Sequence, residues 1–158
     1  MNLFYWVKQR RREFINSKPL PKYIRILNLI KKENSVLDAG CGKKAKLSKY
    51  LLNKNSSLKI TGGDLNKTCE FMHPNFEYSL MDLNQKINAK NFDLVIFADV
   101  LEHLKNPKQV LQNFSKHTSR FIVSIPNMNF FAYKIFPRLE NPPKGESQHI
   151  HHWNLKKV

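Results

Sequence analysis

Short apolar runs alternate along the chain with segments in which apolar residues recur at helical spacing. The runs predict five strands, at residues 35–37, 58–62, 76–80, 94–97 and 121–125. The helical spacing predicts helices over 21–32, from about Ala45, and over 107–116. Because strands and helices alternate, we expect an α/β fold with a doubly wound, mostly parallel sheet. Right-handed crossovers would bring all five strand ends to one edge.

The stretch from Ser35 to Lys46 combines a buried strand, a glycine turn and the start of a helix. Gly40 and Gly42, with Cys41 between them, permit unusual backbone angles and leave room for a ligand near the main chain. The helix presents unpaired N–H groups and the positive end of its dipole to the turn. This arrangement predicts a nucleotide-type binding corner, and a tight turn without a ligand is the alternative.

The charges of the turn bear on which ligand it binds. The spacing from Gly40 to Ala45 is compatible with a dinucleotide fingerprint. Asp38, however, precedes the first glycine by two residues, where its carboxylate would repel a pyrophosphate and attract an ammonium group. S-adenosylmethionine, which carries a cationic amino-acid arm and no phosphate, fits this carboxylate better. Three lysines in the turn favour phosphate instead, unless they point to solvent.

Acidic residues also follow the second and third predicted strands. Asp64 lies some two dozen residues beyond the glycines, where a carboxylate can accept hydrogen bonds from both ribose hydroxyls in doubly wound folds. A helix cap or turn aspartate is the alternative reading. Asp82 is placed to meet the exocyclic amine of an adenine, with Leu65 and Leu83 on either side of the ring.

The composition limits the class of protein and its partners. The chain has 158 residues and a net charge of +15, with nine Lys or Arg residues from Lys8 to Lys32 against Glu13 alone. This excess favours an anionic partner, although genome composition is an equal explanation. Two cysteines form no disulfide framework and indicate a reducing compartment. No apolar run reaches the roughly 20 residues that span a bilayer, and no signal peptide is visible, so we expect a cytoplasmic protein.

The composition also divides the chain in two. Residues 1–20 form a basic segment predicted as an N-terminal helix or lid, ended by Pro19 and Pro21. A basic amphipathic helix can also lie on a membrane surface, which leaves peripheral membrane contact open. Residues 21–158 form the second unit, which contains every predicted strand.

Two motifs together resemble the class I S-adenosylmethionine-dependent methyltransferases, in particular those that act on small molecules. The first is VLDAGCG at residues 36–42, and the second is FDLV followed by VLEHL, at residues 92–104. The resemblance covers roughly Tyr23 to Trp153 and implies a Rossmann-like fold. Either motif alone would be a weak signal, whereas the two in this order and at this separation are specific.

The resemblance implies a role for residues at several strand ends. The implied cofactor-binding residues are Asp38, Gly40, Cys41, Gly42, Asp64, Leu65, Asp82, Leu83, Ala98 and Asp99. The first glycines and Asp38 would hold the methionine arm, and the last two residues would border the sulfonium. Glu102 and His103 would face the methyl acceptor, with His103 as a candidate general base or as an architectural residue. No metal site is expected.

Two departures from the family pattern stand out. The usual third glycine of the turn falls at Lys44, whose side chain would crowd or repel a cationic cofactor. The family sheet normally has seven strands, the last two forming a hairpin, whereas this sequence predicts five. We therefore expect a C-terminally truncated domain with an open edge at the fifth strand.

Other functions compete with this interpretation. A degenerate methyltransferase fold that serves as a basic binding module is one, and cofactor binding would distinguish it from an enzyme. An RNA methyltransferase is another, because of the charge, although no RNA-binding motif accompanies it. Asp38 disfavours a flavin or nicotinamide enzyme. Three histidines near the C-terminus lack a recognised metal-ligand spacing; they are His149, His151 and His152.

The acceptor itself is not encoded in a recognisable motif. The basic N-terminal helix and the aromatic stretch from Phe130 to Phe136 favour an amphipathic or anionic small molecule. Lipid-linked, quinone-like and sugar-phosphate compounds all fit this description.

Overall fold

The computed structural model describes residues 21–85 and 90–125. The predicted N-terminal helix, the 130–136 aromatic stretch and the C-terminal histidines lie outside these residues. Within residues 21–85 and 90–125, three α-helices and five strands follow one another, with a short 3₁₀ helix at Leu101–His103. In chain order they are α1 (Pro21–Leu29), β1 (Ser35–Ala39), α2 (Lys46–Lys54), β2 (Lys59–Asp64), β3 (Phe76–Leu80), β4 (Leu94–Ala98), α3 (Pro107–Phe114) and β5 (Phe121–Ser124).

The five strands form one sheet in the order β3-β2-β1-β4-β5, and every neighbouring pair is parallel. The predicted α/β, Rossmann-like fold is therefore confirmed. The strand order reverses between β1 and β4, so the connections that leave these two strands diverge to opposite sides. In open α/β sheets a crevice forms at such a switch point, outside the carboxyl ends of the strands, and ligands bind there.

Both faces of the central strands are buried, because successive side chains alternate between them. On β4, Val95 and Phe97 join a core closed by α3 and the segment after β4. Leu94 and Ile96 join a second core closed by α1 and α2. Phe97 and Phe114 meet edge to face with ring centroids 5.4 Å apart. This two-sided burial holds β1 and β4 in fixed positions on either side of the switch point.

Within the described residues, the predicted strands and helices all occur, and the differences are confined to their ends. Helix α1 ends at Leu29, three residues earlier than predicted. The reason is that side chains from later in the chain form hydrogen bonds with the main-chain groups that would otherwise continue the helix. The Arg120 guanidinium donates to the Leu29 carbonyl at 2.6 Å, and the Glu33 carboxylate accepts from the main-chain N–H groups of Lys31 and Lys32. The strands β2 and β4 continue further toward the ligand edge than predicted.

The connection from β2 to β3 is irregular, although parallel crossovers usually contain a helix. Phe71 covers this side of the sheet and packs on Phe76, with ring centroids 4.9 Å apart. The Glu70 N–H donates to the Lys43 carbonyl at 2.8 Å, and the two side chains form an ion pair at 3.1 Å. The loop is thereby tied to the glycine turn after β1.

Candidate cofactor and acceptor site

The main-chain N–H groups of the glycine turn after β1 donate hydrogen bonds to the end of β2. The N–H groups of Gly40 and Cys41 both donate to the Gly63 carbonyl, at 2.7 and 3.2 Å. The Gly42 N–H donates to Asp64 Oδ2 at 2.7 Å. The other oxygen of Asp64 accepts from the main chain and side chain of Asn66, at 3.1 and 2.5 Å. Asp64 therefore fixes the turn through both of its carboxylate oxygens.

Gly40 and Gly42 both have left-handed backbone angles, with φ of +77° and +70°, but their surroundings differ. A Cβ atom at Gly40 would come within 2.5 Å of a Val100 methyl group, whereas one at Gly42 would meet nothing within 4 Å. Gly40 thus allows β1 and the segment after β4 to approach closely. Gly42 faces open space from which a ligand can reach the main chain.

The third left-handed residue of the turn is Ala45, with φ of 40°, immediately before α2. Among the non-glycine residues of the described ranges, only Ala45 and Asp99 have positive φ. Lys44, where the family pattern places a glycine, has no such backbone angle and is exposed. The left-handed position, where glycine would be favoured, is therefore Ala45, and not Lys44 as the family pattern suggested. Its side chain is the methyl group of alanine.

Asp38 is buried at the end of β1, with 2% of its surface exposed. Its Oδ2 accepts a hydrogen bond from the Ser48 hydroxyl at 2.6 Å. Burial raises the pKa of Asp38 to about 6, and Asp64 adds to this rise, while Ser48 and Lys22 oppose it. The carboxylate is therefore mostly charged at neutral pH, in a setting where an uncompensated charge is unfavourable.

Asp99 follows β4 in a left-handed conformation, with φ of 57°. Its Oδ1 accepts from the Ser124 hydroxyl at 2.7 Å, and its Oδ2 forms an ion pair with Lys22 of α1. Burial raises the pKa of Tyr23, and the charges of Asp38 and Asp99 raise it further, so Tyr23 of α1 lies within electrostatic reach of both carboxylates. Strained residues of this kind cluster at functional sites because their surroundings hold them in place.

Glu102 lies in the 3₁₀ helix after β4, with only 1% of its surface exposed. Neither carboxylate oxygen has a hydrogen-bond partner among the described residues. Burial raises the pKa of Glu102 and Asp99 raises it further, while the residue's own main-chain N–H, His103 and Lys22 oppose this rise. His103 is half-buried beside it. Within the described residues, this buried carboxylate therefore has unsatisfied hydrogen-bond acceptors. A ligand could supply the missing donors.

The residues predicted to hold the adenine occupy unlike environments. Asp82 is half-buried, and its Oδ1 accepts from the Asn84 N–H at 2.9 Å. Leu83 packs into the core with Phe97, whereas Leu65 is 65% exposed after β2. Ala98, which was predicted to border the sulfonium and not the adenine, lies half-buried at the end of β4. The adenine contacts of these residues stay predictions.

Three residues of this site had no distinctive signal in the sequence: Lys22, Ser48 and Ser124. Ser48 contacts Asp38, and Lys22 and Ser124 contact Asp99. Only the folded chain brings these side chains together. Burial, and after it Asp38 and Asp64, raises the pKa of Cys41 well above its usual range, so this thiol is a poor nucleophile. Within residues 21–85 and 90–125, no three metal-ligating side chains lie together.

A family model described as a methyltransferase domain matches residues 7–157, nearly the whole chain. The chain belongs to this family. The matched range contains both motifs, the glycine turn and every strand of the sheet. No curated protein matches the chain.

Several solved methyltransferase structures share the fold at low sequence identity. The plantazolicin methyltransferase BpumL in complex with SAH is 17% identical with a TM-score of 0.65, over 85% of this chain and 56% of that one. Coclaurine N-methyltransferase bound to N-methylheliamine and SAH is 22% identical with a TM-score of 0.52, over 64% and 35%. The N-terminal domain of EvdMO1 with SAH bound is 17% identical with a TM-score of 0.55, over 65% and 47%. The chain thus spans about half the length, or less, of these structures.

Proposed function

We propose that the chain binds S-adenosylmethionine and transfers its methyl group to a small-molecule acceptor. The observation that carries this proposal is the charge of the switch-point crevice. Asp38 and Asp99 lie at the ends of β1 and β4 on either side of it, Glu102 follows β4 in the 3₁₀ helix, and Lys22 pairs with Asp99. In a chain with a net charge of +15, such a local excess of negative charge favours a cationic ligand.

The proposed roles follow the positions of the side chains. Asp38 and the Gly40–Gly42 turn would hold the methionine arm, while Asp64 would accept hydrogen bonds from the ribose hydroxyls. Asp99 and Ala98, at the end of β4, would border the sulfonium. The cofactor supplies an activated methyl group, so the remaining task of the protein is to align it with the acceptor. Glu102 and His103 lie on the side where that acceptor would enter.

The proposed acceptor is anionic or amphipathic. Exposed lysines follow β1 and β2 at the same edge of the sheet as the carboxylates, at Lys43, Lys44 and Lys67. Exposed apolar side chains accompany them at Leu65 and Leu80. A compound with a negatively charged group and an apolar part would fit this combination.

No helix in the described ranges is long and apolar enough to cross a membrane. We include a cytoplasmic location in the proposal because Cys41 and Cys69 are unpaired.

Calorimetric titration with S-adenosylmethionine and with S-adenosylhomocysteine tests the proposal. We expect micromolar binding, weakened at least tenfold in Asp64→Asn, which keeps an acceptor for the Gly42 N–H but loses the charge. Asp93→Asn is a matched control, because Asp93 accepts from the Asn34 and Ser35 N–H groups before β1, at the opposite end of that strand. A folded chain that binds neither compound at millimolar concentration would instead be a non-catalytic binding module.

A further inference from the structure

Ser48 is a polar residue in an apolar setting. It belongs to the first turn of α2, is fully buried, and lies among Leu47, Leu51 and Leu52 on the face of α2 that packs on the sheet. Its hydroxyl donates to Asp38 Oδ2 at 2.6 Å, a length typical of a strong bond to a charged oxygen. A buried hydroxyl is unfavourable unless it has such a partner, so the pair forms a single polar unit within the core.

We propose that Ser48 is a positioning residue for the cofactor. Its hydroxyl holds the Asp38 carboxylate in one orientation, and in its charged form, beside the glycine turn. This inference rests on the proposed function, in which Asp38 meets the cationic amino-acid arm of S-adenosylmethionine. Ser48 itself would touch neither the cofactor nor the acceptor.

The groups that face Asp38 explain why this one bond matters. Burial disfavours the charged carboxylate, and Asp64, from the end of β2, disfavours it further. Two neighbours favour the charged form: Ser48 of α2, through both its hydroxyl and its main-chain N–H, and Lys22 of α1. Tyr23 and Cys41 also lie within electrostatic reach and are neutral. Because Lys22 is paired with Asp99, Ser48 is the neighbour whose side chain is committed to Asp38.

A purely structural role is the competing explanation. Ala45 precedes α2 and provides no side-chain acceptor for the first-turn N–H groups, so Asp38 also serves the start of this helix from the neighbouring strand. Removing the hydroxyl would then lower stability by the same amount at every pH. The two explanations differ in pH dependence, because only a hydroxyl that supports the charged carboxylate changes the pH at which Asp38 takes up a proton.

The test is calorimetric titration with S-adenosylmethionine between pH 5 and pH 8.5, on wild type and Ser48→Ala. Wild-type affinity should fall as Asp38 becomes protonated near pH 6. In Ser48→Ala the midpoint should move up by about one pH unit, so affinity should fall about twofold at pH 7 and close to tenfold at pH 5. Ser48→Thr, which keeps the hydroxyl, should restore the wild-type profile. Ser115→Ala, which removes an exposed hydroxyl bonded to the Gln112 carbonyl, should leave it unchanged.

Ser48→Cys serves if Ser48→Ala does not fold, because a thiol fills a similar volume but is a weak donor. The midpoint shift should vanish in an Asp38→Asn background, where no carboxylate titrates. An affinity loss of equal size at every pH would overturn the inference and leave Ser48 a structural residue. Absence of binding by the folded wild type would instead overturn the proposed function, and the positioning role with it.

Discussion

The two sides of the switch-point crevice differ in one buried carboxylate. On the β1–β2 side, the polar groups are paired with one another: Gly40, Cys41 and Gly42 donate to the end of β2, and Asp64 uses both carboxylate oxygens. After β4, the oxygens of Asp99 pair with Ser124 and Lys22, whereas both oxygens of Glu102 lack hydrogen-bond partners among the described residues.

This difference indicates a division of roles. A site for a constant ligand benefits from a rigid backbone, since preorganisation lowers the entropy lost on binding. A buried polar group without a hydrogen-bond partner destabilises the ligand-free protein. A ligand that supplies the missing partner removes this penalty and is thereby bound more tightly. We therefore expect the glycine turn to determine cofactor affinity, and the segment after β4 to respond to the acceptor.

The largest effect is expected from Gly40→Ala. The new Cβ would lie 2.5 Å from a Val100 methyl group in a backbone conformation that is unfavourable for alanine. Urea denaturation should show a loss of about 3 kcal/mol or more. Gly42→Ala, a matched control with a similar φ but open space, should lose only about 1 kcal/mol. Equal losses in the two variants would show that contact with Val100 does not limit the turn.

Glu102→Gln should change stability in a pH-dependent way. The pKa of Glu102 is raised in the folded state, so wild-type stability falls as the pH rises above the ordinary value of 4.5 and the buried carboxylate loses its proton. A glutamine does not titrate, so the variant should gain about 1 kcal/mol relative to wild type between pH 4.5 and pH 8 in thermal unfolding.

The matched control for this prediction is Glu77→Gln, because Glu77 is exposed and paired with Lys90 at 2.7 Å. Its relative stability should stay nearly constant over the same pH range. If Glu102→Gln became less stable than wild type at pH 8, the carboxylate would have a partner that stabilises its charge.

Lys22→Met should alter ligand selectivity more than stability. The ion pair with Asp99 is partly exposed, so its loss should lower stability by less than about 1 kcal/mol. S-adenosylmethionine carries one more positive charge than S-adenosylhomocysteine, so removing a cation should raise the affinity ratio in favour of the former by roughly threefold. Lys90→Met is the control, and an unchanged ratio in Lys22→Met would place the sulfonium away from this lysine.

The smallest effect is expected from Lys44→Gly, which introduces the glycine of the family pattern. Lys44 is exposed and has no left-handed backbone angle, so cofactor affinity should change by less than about twofold. A large gain in calorimetric affinity would show that the lysine obstructs the cofactor, as the sequence pattern suggested.

The sequence by itself determined the fold class and the position of the glycine turn, which belongs to the candidate site. The apolar runs of β1 and β4 were recognisable because these strands are buried on both faces, which leaves a continuous apolar signal. Gly40, Gly42 and Asp38 were identified because a ligand turn between a strand and a helix requires small residues and a few polar groups at fixed spacing. The motif after β4 was recognised in the same way, since Glu102 and His103 lie within six residues of the strand.

Only the tertiary structure decided which groups meet across the crevice. Lys22 is 77 residues from Asp99, and Ser124 is 25 residues from it, so no local pattern could pair them. The left-handed residue at Ala45 rather than Lys44 depends on where α2 begins, which is set by packing of Leu47 and Leu51 on the sheet. The raised pKa values of Asp38 and Glu102 arise from burial, a property of the assembled layers that is absent from the order of residues.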